Sequence, residues 1–349
     1  MKKLEVGILG ATGMVGQRFV SLLEHHPWFE VKWLGASDRS SGKKYGEACN
    51  WRLRDAMPKF AASLDVHECK PGHAPQLVFS SLDSKVAGEI EKEFAHAGHV
   101  VVSNSSNHRM DADVPLLIPD VNPDHLALVR AQRRERKWKG MIVTNPNCTT
   151  VGLVMSLAPI DRAFGLAKVM MTSMQAVSGA GYPGLPTLDI LGNVIPYIGG
   201  EEEKVERETR KLLGKLTEGR VAPGDFIVSA HCNRVMVEDG HTESISVALR
   251  TPAKAEEITA AWLKYRSRPQ ELELPSAPKH PILVREEKDR PQVKFDVAAE
   301  NGMATTVGRL RPCAVLEWKY TALSHNTIRG AAGAALLNAE LMKAEGYLD

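Results

Sequence analysis

The stretch Leu4-Glu5-Val6-Gly7-Ile8-Leu9-Gly10-Ala11-Thr12-Gly13-Met14-Val15-Gly16 sets a strand, a glycine-rich turn and a helix start in direct succession. Leu4–Leu9 has the length and apolar content of a buried strand, and Met14–Glu24 carries helical spacing that Pro27 closes. Glycines in such a turn let the backbone approach a pyrophosphate, which the positive end of the helix attracts. The spacing is G-x-x-G-x-x-G rather than the commoner G-x-G-x-x-G. Gly10, Thr12, Gly13, Met14, Val15 and Gly16 are the predicted dinucleotide contacts. The next strand, Val31–Ala36, ends in Ser37-Asp38-Arg39-Ser40, where the adenosine ribose would lie. Asp38 suits a free 2′-hydroxyl and hence NAD. Ser37, Arg39 and Ser40 suit a 2′-phosphate, and an arginine flanked by hydroxyls favours NADP.

Further strands are expected at Leu77–Phe79, Val100–Val102 and Met141–Val143, with a helix from about Ser84 to Ala97 stopped by Gly98. This alternation implies an α/β fold, a parallel sheet with helices on both faces. Beyond residue 148 the rhythm changes. Helix-like Val151–Ala163 leads to a long strand, Ala167–Val177, and a Gly/Pro-rich loop, Ser178–Pro186. Helices are expected at about Glu201–Leu213 and Ala253–Arg266. Strands are expected at Ile227–Ala230, Glu243–Leu249, Val293–Val297, Thr305–Leu310 and Ala314–Tyr320. Strands in succession indicate an α+β second domain with a mixed or antiparallel sheet. The expected division is a dinucleotide-binding domain at 1–147, completed by an Ala-rich C-terminal helix within 326–349, and a second domain at 148–325.

The totals agree with two ordinary globular domains: 349 residues, 43% hydrophobic, 25% charged and a formal net charge of +2. Such a balance predicts no nucleic-acid partner and no membrane surface. The basic run Arg130–Lys139 around Trp138 reads as a solvated helix and loop. Met1-Lys2-Lys3 runs straight into the first strand, leaving no room for a signal peptide, and no apolar stretch is of bilayer length. The five cysteines are scattered, with no Cys-x-x-Cys pair, so neither a disulfide framework nor a metal site is expected and a reducing cytoplasm fits.

One of those cysteines stands apart. In Thr144-Asn145-Pro146-Asn147-Cys148-Thr149-Thr150 a strand-like run meets a helix-like run at Cys148. Unpaired N–H groups and the dipole at a helix start favour thiolate over thiol. The Asn-Pro-Asn approach is irregular and polar, as a presented nucleophile requires. A nucleophilic thiolate beside a dinucleotide site points to oxidation or reduction at an acyl carbon.

Asn145–Thr150 together with Ser178-Gly179-Ala180-Gly181-Tyr182-Pro183-Gly184 resembles the archaeal and fungal type of aspartate-semialdehyde dehydrogenase. Gly199–Lys204, Asn233–His241 and Ser324-His325-Asn326-Thr327-Ile328-Arg329-Gly330 extend the likeness over nearly the whole chain. The resemblance implies a Rossmann-type domain joined to a catalytic and dimerisation domain. It implies NADPH-dependent reductive dephosphorylation of β-aspartyl phosphate through a cysteine thioester, in lysine, threonine, methionine and diaminopimelate biosynthesis, by a homodimer or homotetramer. It makes Cys148 the nucleophile, His241 the general acid/base and Gln175 the residue that orients the substrate. Arg234 takes the α-carboxylate, Glu201 the ammonium, and Lys204 with Arg109 the phosphate. Ser178, Gly179 and Asn326 fall at the coenzyme. Backbone N–H groups at Asn147 and Cys148 suit an oxyanion. Malonyl-CoA reductase, which looks like the same family, is the rival reading. Its substrate lacks an α-amino group, so the intact Gly-Gly-Glu-Glu-Glu-Lys run favours the amino acid.

Overall fold

The computed structural model describes residues 2–348. Its first sheet holds β1 (Leu4–Leu9), β2 (Phe29–Ala36), β3 (Val66–Glu68), β4 (Leu77–Ser80), β5 (Val100–Ser103) and β6 (Met141–Thr144). All pair in parallel, in the order β3-β2-β1-β4-β5-β6. β4, β5 and β6 are buried at every position, which is why they read as continuous apolar runs rather than alternating ones. One face packs Val6, Ile8 and Phe79 against Phe19 and Val20 of α1 (Met14–Leu23). The other packs Leu9, Val78 and Val101 against Phe94 of α2 (Ser84–Ala97), which ends on left-handed Gly98 as expected. Each such fully buried side chain contributes roughly 1.5–3 kcal/mol. α3 (Leu128–Arg136) carries much of the basic run. There Arg136 pairs with Asp111 and Asp113 and stacks on Trp138.

The second sheet holds β7 (Leu166–Gln175), β10 (Ile227–Arg234), β11 (His241–Leu249), β12 (Ile282–Arg285), β13 (Thr305–Pro312) and β14 (Trp318–Ser324). A small separate hairpin is formed by β8 (Lys215–Thr217) and β9 (Arg220–Ala222). The order is β10-β7-β11-β14-β13-β12, with β10–β7 and β12–β13 parallel and the other pairs antiparallel, so the sheet is mixed. β7 alternates buried and exposed residues. Its inner face, with Val169 and Met171, lies against α4 (Cys148–Phe164), which is buried all round from Thr149 to Ile160. The outer face exposes Met170, Met174 and Ile227. α5 (Glu201–Leu212) and α6 (Ala255–Leu263) contact α4. The C-terminal segment opens with a π-helical turn, Ile328–Ala332, and continues as α7 (Gly333–Ala344), whose Leu337 and Leu341 join the core of the first sheet.

Two late strand expectations need correction. Val293–Asp296 is a helical turn, not a strand. Asp296 gathers Arg285 Nε at 2.9 Å, Arg290 Nε at 2.7 Å and the Gln292 N–H at 2.8 Å, and an acid so paired with its own preceding turn closes the chain locally. The last strand begins at Trp318 rather than Ala314, because the intervening residues make the bend between β13 and β14. β3 and β12 went unanticipated. Both are edge strands of three or four residues, too short to show a period.

Candidate active site

Cys148 is the first residue of α4, as its sequence setting suggests. Asn147 caps the helix: its Oδ1 accepts from Thr149 N at 2.9 Å and Thr150 N at 3.2 Å. The cap is itself held. Asn147 Nδ2 donates to Glu201 Oε1 at 2.8 Å, and its N–H donates to Glu208 Oε2 at 2.6 Å. That N–H is therefore engaged and does not serve an oxyanion. The Cys148 N–H, without an intrahelical acceptor at the first position, remains. Asn145 explains the polar approach. Its Nδ2 donates to Asn104 Oδ1 at 2.8 Å and to Ala331 O at 3.0 Å, tying the ends of β5 and β6 to the C-terminal segment.

The sheet register brings the other residues into line. β10 and β11 flank β7, and the turn between them passes over the end of β7. Arg234 pairs with Gln175, and His241 pairs with Ser324. The seven-residue step from Arg234 to His241 is thus a strand end, a turn and a strand start. Both side chains and that of Gln175 are buried. His241 Nε2 lies 3.2 Å from Cys148 Sγ. Its Nδ1 accepts the Ala176 N–H at 3.1 Å, so the neutral ring carries its proton on Nε2, facing the sulfur. Burial and the neighbouring Arg234 charge pull the imidazole down to about 3. Burial pushes the Cys148 thiol up to about 12, with the Glu201 carboxylate adding to it and Arg109, Arg234 and the Thr149 N–H drawing it back. The resting pair is thiol and neutral imidazole. The helix start does favour thiolate, but burial outweighs it.

Cys148 lies on a wall shared by two cavities. One, of ≈ 440 Å³, is lined by Gln175, Ile198, Glu201, Lys204 and Arg234. Arg234 Nη1 donates to Ala176 O at 2.7 Å, and Lys204 Nζ lies 3.9 Å from Glu201 Oε2. The other, of ≈ 640 Å³, runs from the glycine turn through Thr12, Met14, Val15 and Ser37 to Arg109, Ser178, Gly179 and Asn326. It suits a dinucleotide. A Cβ on Gly16 would come within 2.3 Å of Gly10 O, so only glycine allows this tight entry to α1. The first turn of α1 has no side-chain cap and leaves its N–H groups for an anion. Asn326 bridges the cleft's far end, donating to Ser178 Oγ at 2.8 Å and accepting the Gly240 N–H at 2.8 Å. Arg39 and Ser40 stand on the turn after β2, beyond the residues that line this cavity.

Arg109 is buried beside the thiol, with Nη1 3.0 Å from Glu208 Oε1, Nη2 donating to Asn104 O at 2.7 Å, and Nε without a partner. Glu208 and the side chain of Asn147 belong to the site and are absent from the sequence-based expectations. Asn147 was within reach, since asparagine before a helix start is a common cap. Glu208 carried one signal, its place seven residues after Glu201 on one helical face. Its partner Arg109 lies 99 residues away, and no local pattern reports that.

Comparison with known proteins is consistent along the whole chain. Residues 5–129 match a family model described as semialdehyde dehydrogenase, NAD binding domain, and residues 157–329 one described as semialdehyde dehydrogenase, dimerisation domain. The aspartate-semialdehyde dehydrogenase of Archaeoglobus fulgidus is 51% identical over 341 residues, covering 97% of this chain and 98% of the relative. That of Schizosaccharomyces pombe is 48% identical over 353 residues, covering 99% of each. The crystal structure of the Candida albicans enzyme with NADP superposes with a TM-score of 0.93 at 43% identity, over 99% of this chain and 100% of that one.

Proposed function

This chain belongs to the semialdehyde dehydrogenase family, and on that premise we propose that it is an NADP-dependent, phosphorylating aspartate-semialdehyde dehydrogenase. The observation that carries the reading is the position of the Cys148 sulfur, 3.2 Å from His241 Nε2 and on the wall common to both cavities. In the biosynthetic direction the sulfur attacks the acyl carbon of β-aspartyl phosphate. A C–S bond forms as the S–H proton passes to His241, the C–O bond to phosphate breaks, and phosphate departs with that electron pair, leaving a thioester on Cys148. The cleft lined by the glycine turn, Ser178 and Asn326 would hold NADPH, which when bound would supply the hydride that reduces the thioester carbon. The C–S bond then breaks, the aldehyde forms and the sulfur leaves with the pair. Throughout, the His241 Nε2–H faces a sulfur that gains or loses charge. To act as a base the ring must give up the Ala176 N–H, so donation is its resting role.

Arg234 offers its free guanidinium edge to the α-carboxylate. Glu201 takes the ammonium, Gln175 orients the acyl group, and Lys204 with Arg109 receives the phosphate. Gly10, Thr12, Gly13, Met14, Val15 and Gly16 would hold the pyrophosphate, Ser37, Arg39 and Ser40 the 2′-phosphate, and Ser178, Gly179 and Asn326 the nicotinamide end. The domains divide at 147/148, with the segment after 326 returning to the first. The outer face of the second sheet, with exposed Met170, Met174 and Ile227, is the surface for a homodimer or a dimer of dimers. Among the described residues no helix is long and apolar enough to cross a membrane, and a cytoplasmic site in lysine, threonine and methionine synthesis agrees with the scattered free cysteines.

The test supplies purified protein with aspartate semialdehyde, phosphate and NADP, and separately with malonyl-CoA and NADPH. A change in nicotinamide absorbance is expected in the first mixture. A change in the second alone would replace this reading with malonyl-CoA reduction.

A further inference from the structure

One face of α5 carries Glu201, Lys204, Glu208 and Lys211, at steps of three, four and three residues. Three of these side chains do more than line a pocket. Glu201 holds the Asn147 side chain, and Glu208 holds the Asn147 N–H at 2.6 Å. Glu208 also holds Arg109 Nη1 at 3.0 Å. Lys211 Nζ donates to the carbonyls of Arg109 at 2.7 Å, Asp111 at 2.8 Å and Val114 at 3.0 Å. The helix therefore grips the peptide before Cys148 at two points and the segment bearing Arg109 at two points. Glu208 alone touches both.

We propose that Glu208 is a positioning residue that fixes the Arg109 guanidinium relative to the Cys148 end of α4, so that the leaving phosphate and the nucleophile keep their spacing. The inference rests on the reading of Arg109 as a phosphate contact. Glu208 is suited to the task because it is buried and acceptor-only, with one oxygen for each donor. An amide there cannot serve both partners. A glutamine turns its NH₂ either toward the Arg109 guanidinium or toward the Asn147 N–H, and in each case two donors face one another. Aspartate keeps the charge but is one methylene shorter, and reaches one partner at a time.

The experiment compares wild type with Glu208→Gln, Glu208→Asp and Arg109→Lys. Steady-state rates give KM for phosphate and for aspartate semialdehyde separately. Alkylation of Cys148 by iodoacetamide, located by mass spectrometry, gives the phosphate concentration that half-protects the thiol without any turnover. Loss of a charge-assisted hydrogen bond predicts a roughly tenfold to hundredfold rise in both phosphate values for Glu208→Gln, with a smaller rise for Glu208→Asp. KM for the aldehyde stays within about twofold, a split that a general loss of packing would not produce. A melting temperature near that of wild type confirms that the Gln variant is folded; where it is not, the Asp variant decides. If Arg109→Lys weakens phosphate and neither Glu208 variant does, or if Glu208→Gln tightens phosphate by unburdening Arg109, the inference is wrong. If Arg109→Lys leaves phosphate untouched, the phosphate reading of Arg109 fails and takes the inference with it.

Discussion

Gly330 offers the sharpest perturbation of the Cys148 thiol from outside the proposed reacting groups. It sits within the π-helical turn Ile328–Ala332, and a Cβ there would lie 2.7 Å from Cys148 Cβ, 3.0 Å from its Cα and 3.3 Å from its O. Carbon atoms in contact settle at about 3.5–4.0 Å, so Gly330→Ala must open the gap between this turn and α4 by roughly 0.8 Å or more. No rotamer change relieves the clash, since every atom met is backbone or Cβ. The turn is tied down by Asn145 Nδ2 on Ala331 O, and α4 is buried along its length, so strain falls on the Cys148 end. Overpacking of this kind costs about 1–3 kcal/mol. A nucleophile moved by about 1 Å can lose up to ~10²-fold in turnover. The assay pairs kcat/KM for phosphate-dependent oxidation of aspartate semialdehyde with the alkylation rate of Cys148 and the melting temperature. Expected are a fall of order 10² in kcat/KM, an altered alkylation rate and a modestly lower Tm. A variant with wild-type kcat/KM and alkylation would show that the close approach of Gly330 does not set the position of the thiol.

Cys148→Ala should abolish turnover while NADP still binds, followed by fluorescence titration; loss of both would mean that the sulfur shapes the cleft rather than performing chemistry. Arg234→Lys should raise KM for the aldehyde by roughly 10–100-fold, because a lysine cannot hold Ala176 O and a bidentate carboxylate together; an unchanged KM would remove the arginine from the substrate. His241 is neutral when folded and protonated when unfolded below about pH 6.5. Its contribution to stability is therefore complete above that pH and declines as pH falls toward about 3. Melting temperatures across that window should fall less steeply in His241→Asn than in wild type.

Most of the first sheet was legible because β4, β5 and β6 are buried at every position and the chain is punctuated from Gly10, at the first βα turn, to Gly98, at the end of α2. Strand β10 was legible only to Ala230, because its last residues, Asn233 and Arg234, are polar for reasons of the site rather than of the strand. For the same cause the residues alone do not show whether the step from Arg234 to His241 is two helical turns or the two arms of a local turn. Only the pairing of β10 and β11 on either side of β7 settles it. A single sequence shows which residues have chemistry to offer. It does not show that Arg109 and Glu208, 99 residues apart, share a buried contact. Nor does it show Glu243, one row deeper than His241 on the same strand, with both oxygens unpartnered and burial holding its carboxyl well above the usual range.

The state of the thiol is where local reasoning and the fold part company, and the magnitudes say why. A helix start contributes about 0.3–1 kcal/mol to an anion, up to about 2 in favourable partly buried sites. Moving the Cys148 thiol from an ordinary 9.0 to about 12 sets roughly 4 kcal/mol against the thiolate, chiefly through burial and then through Glu201. The dipole is present, and burial outweighs it. His241 does not tip the balance, because the Ala176 N–H occupies the nitrogen that a second ring proton would need. Without substrate, then, the thiolate fraction should grow tenfold per pH unit well into the alkaline range. Alkylation of Cys148 in the ligand-free protein should rise with a slope near one on a logarithmic scale from neutral pH to beyond about pH 10, past the midpoint of an ordinary thiol at 9.0. A plateau reached by about pH 7 would mean a preformed thiolate–imidazolium pair. The ring would then have surrendered its bond to Ala176, and the acid role assigned to Nε2 would have to be rebuilt from a doubly protonated His241.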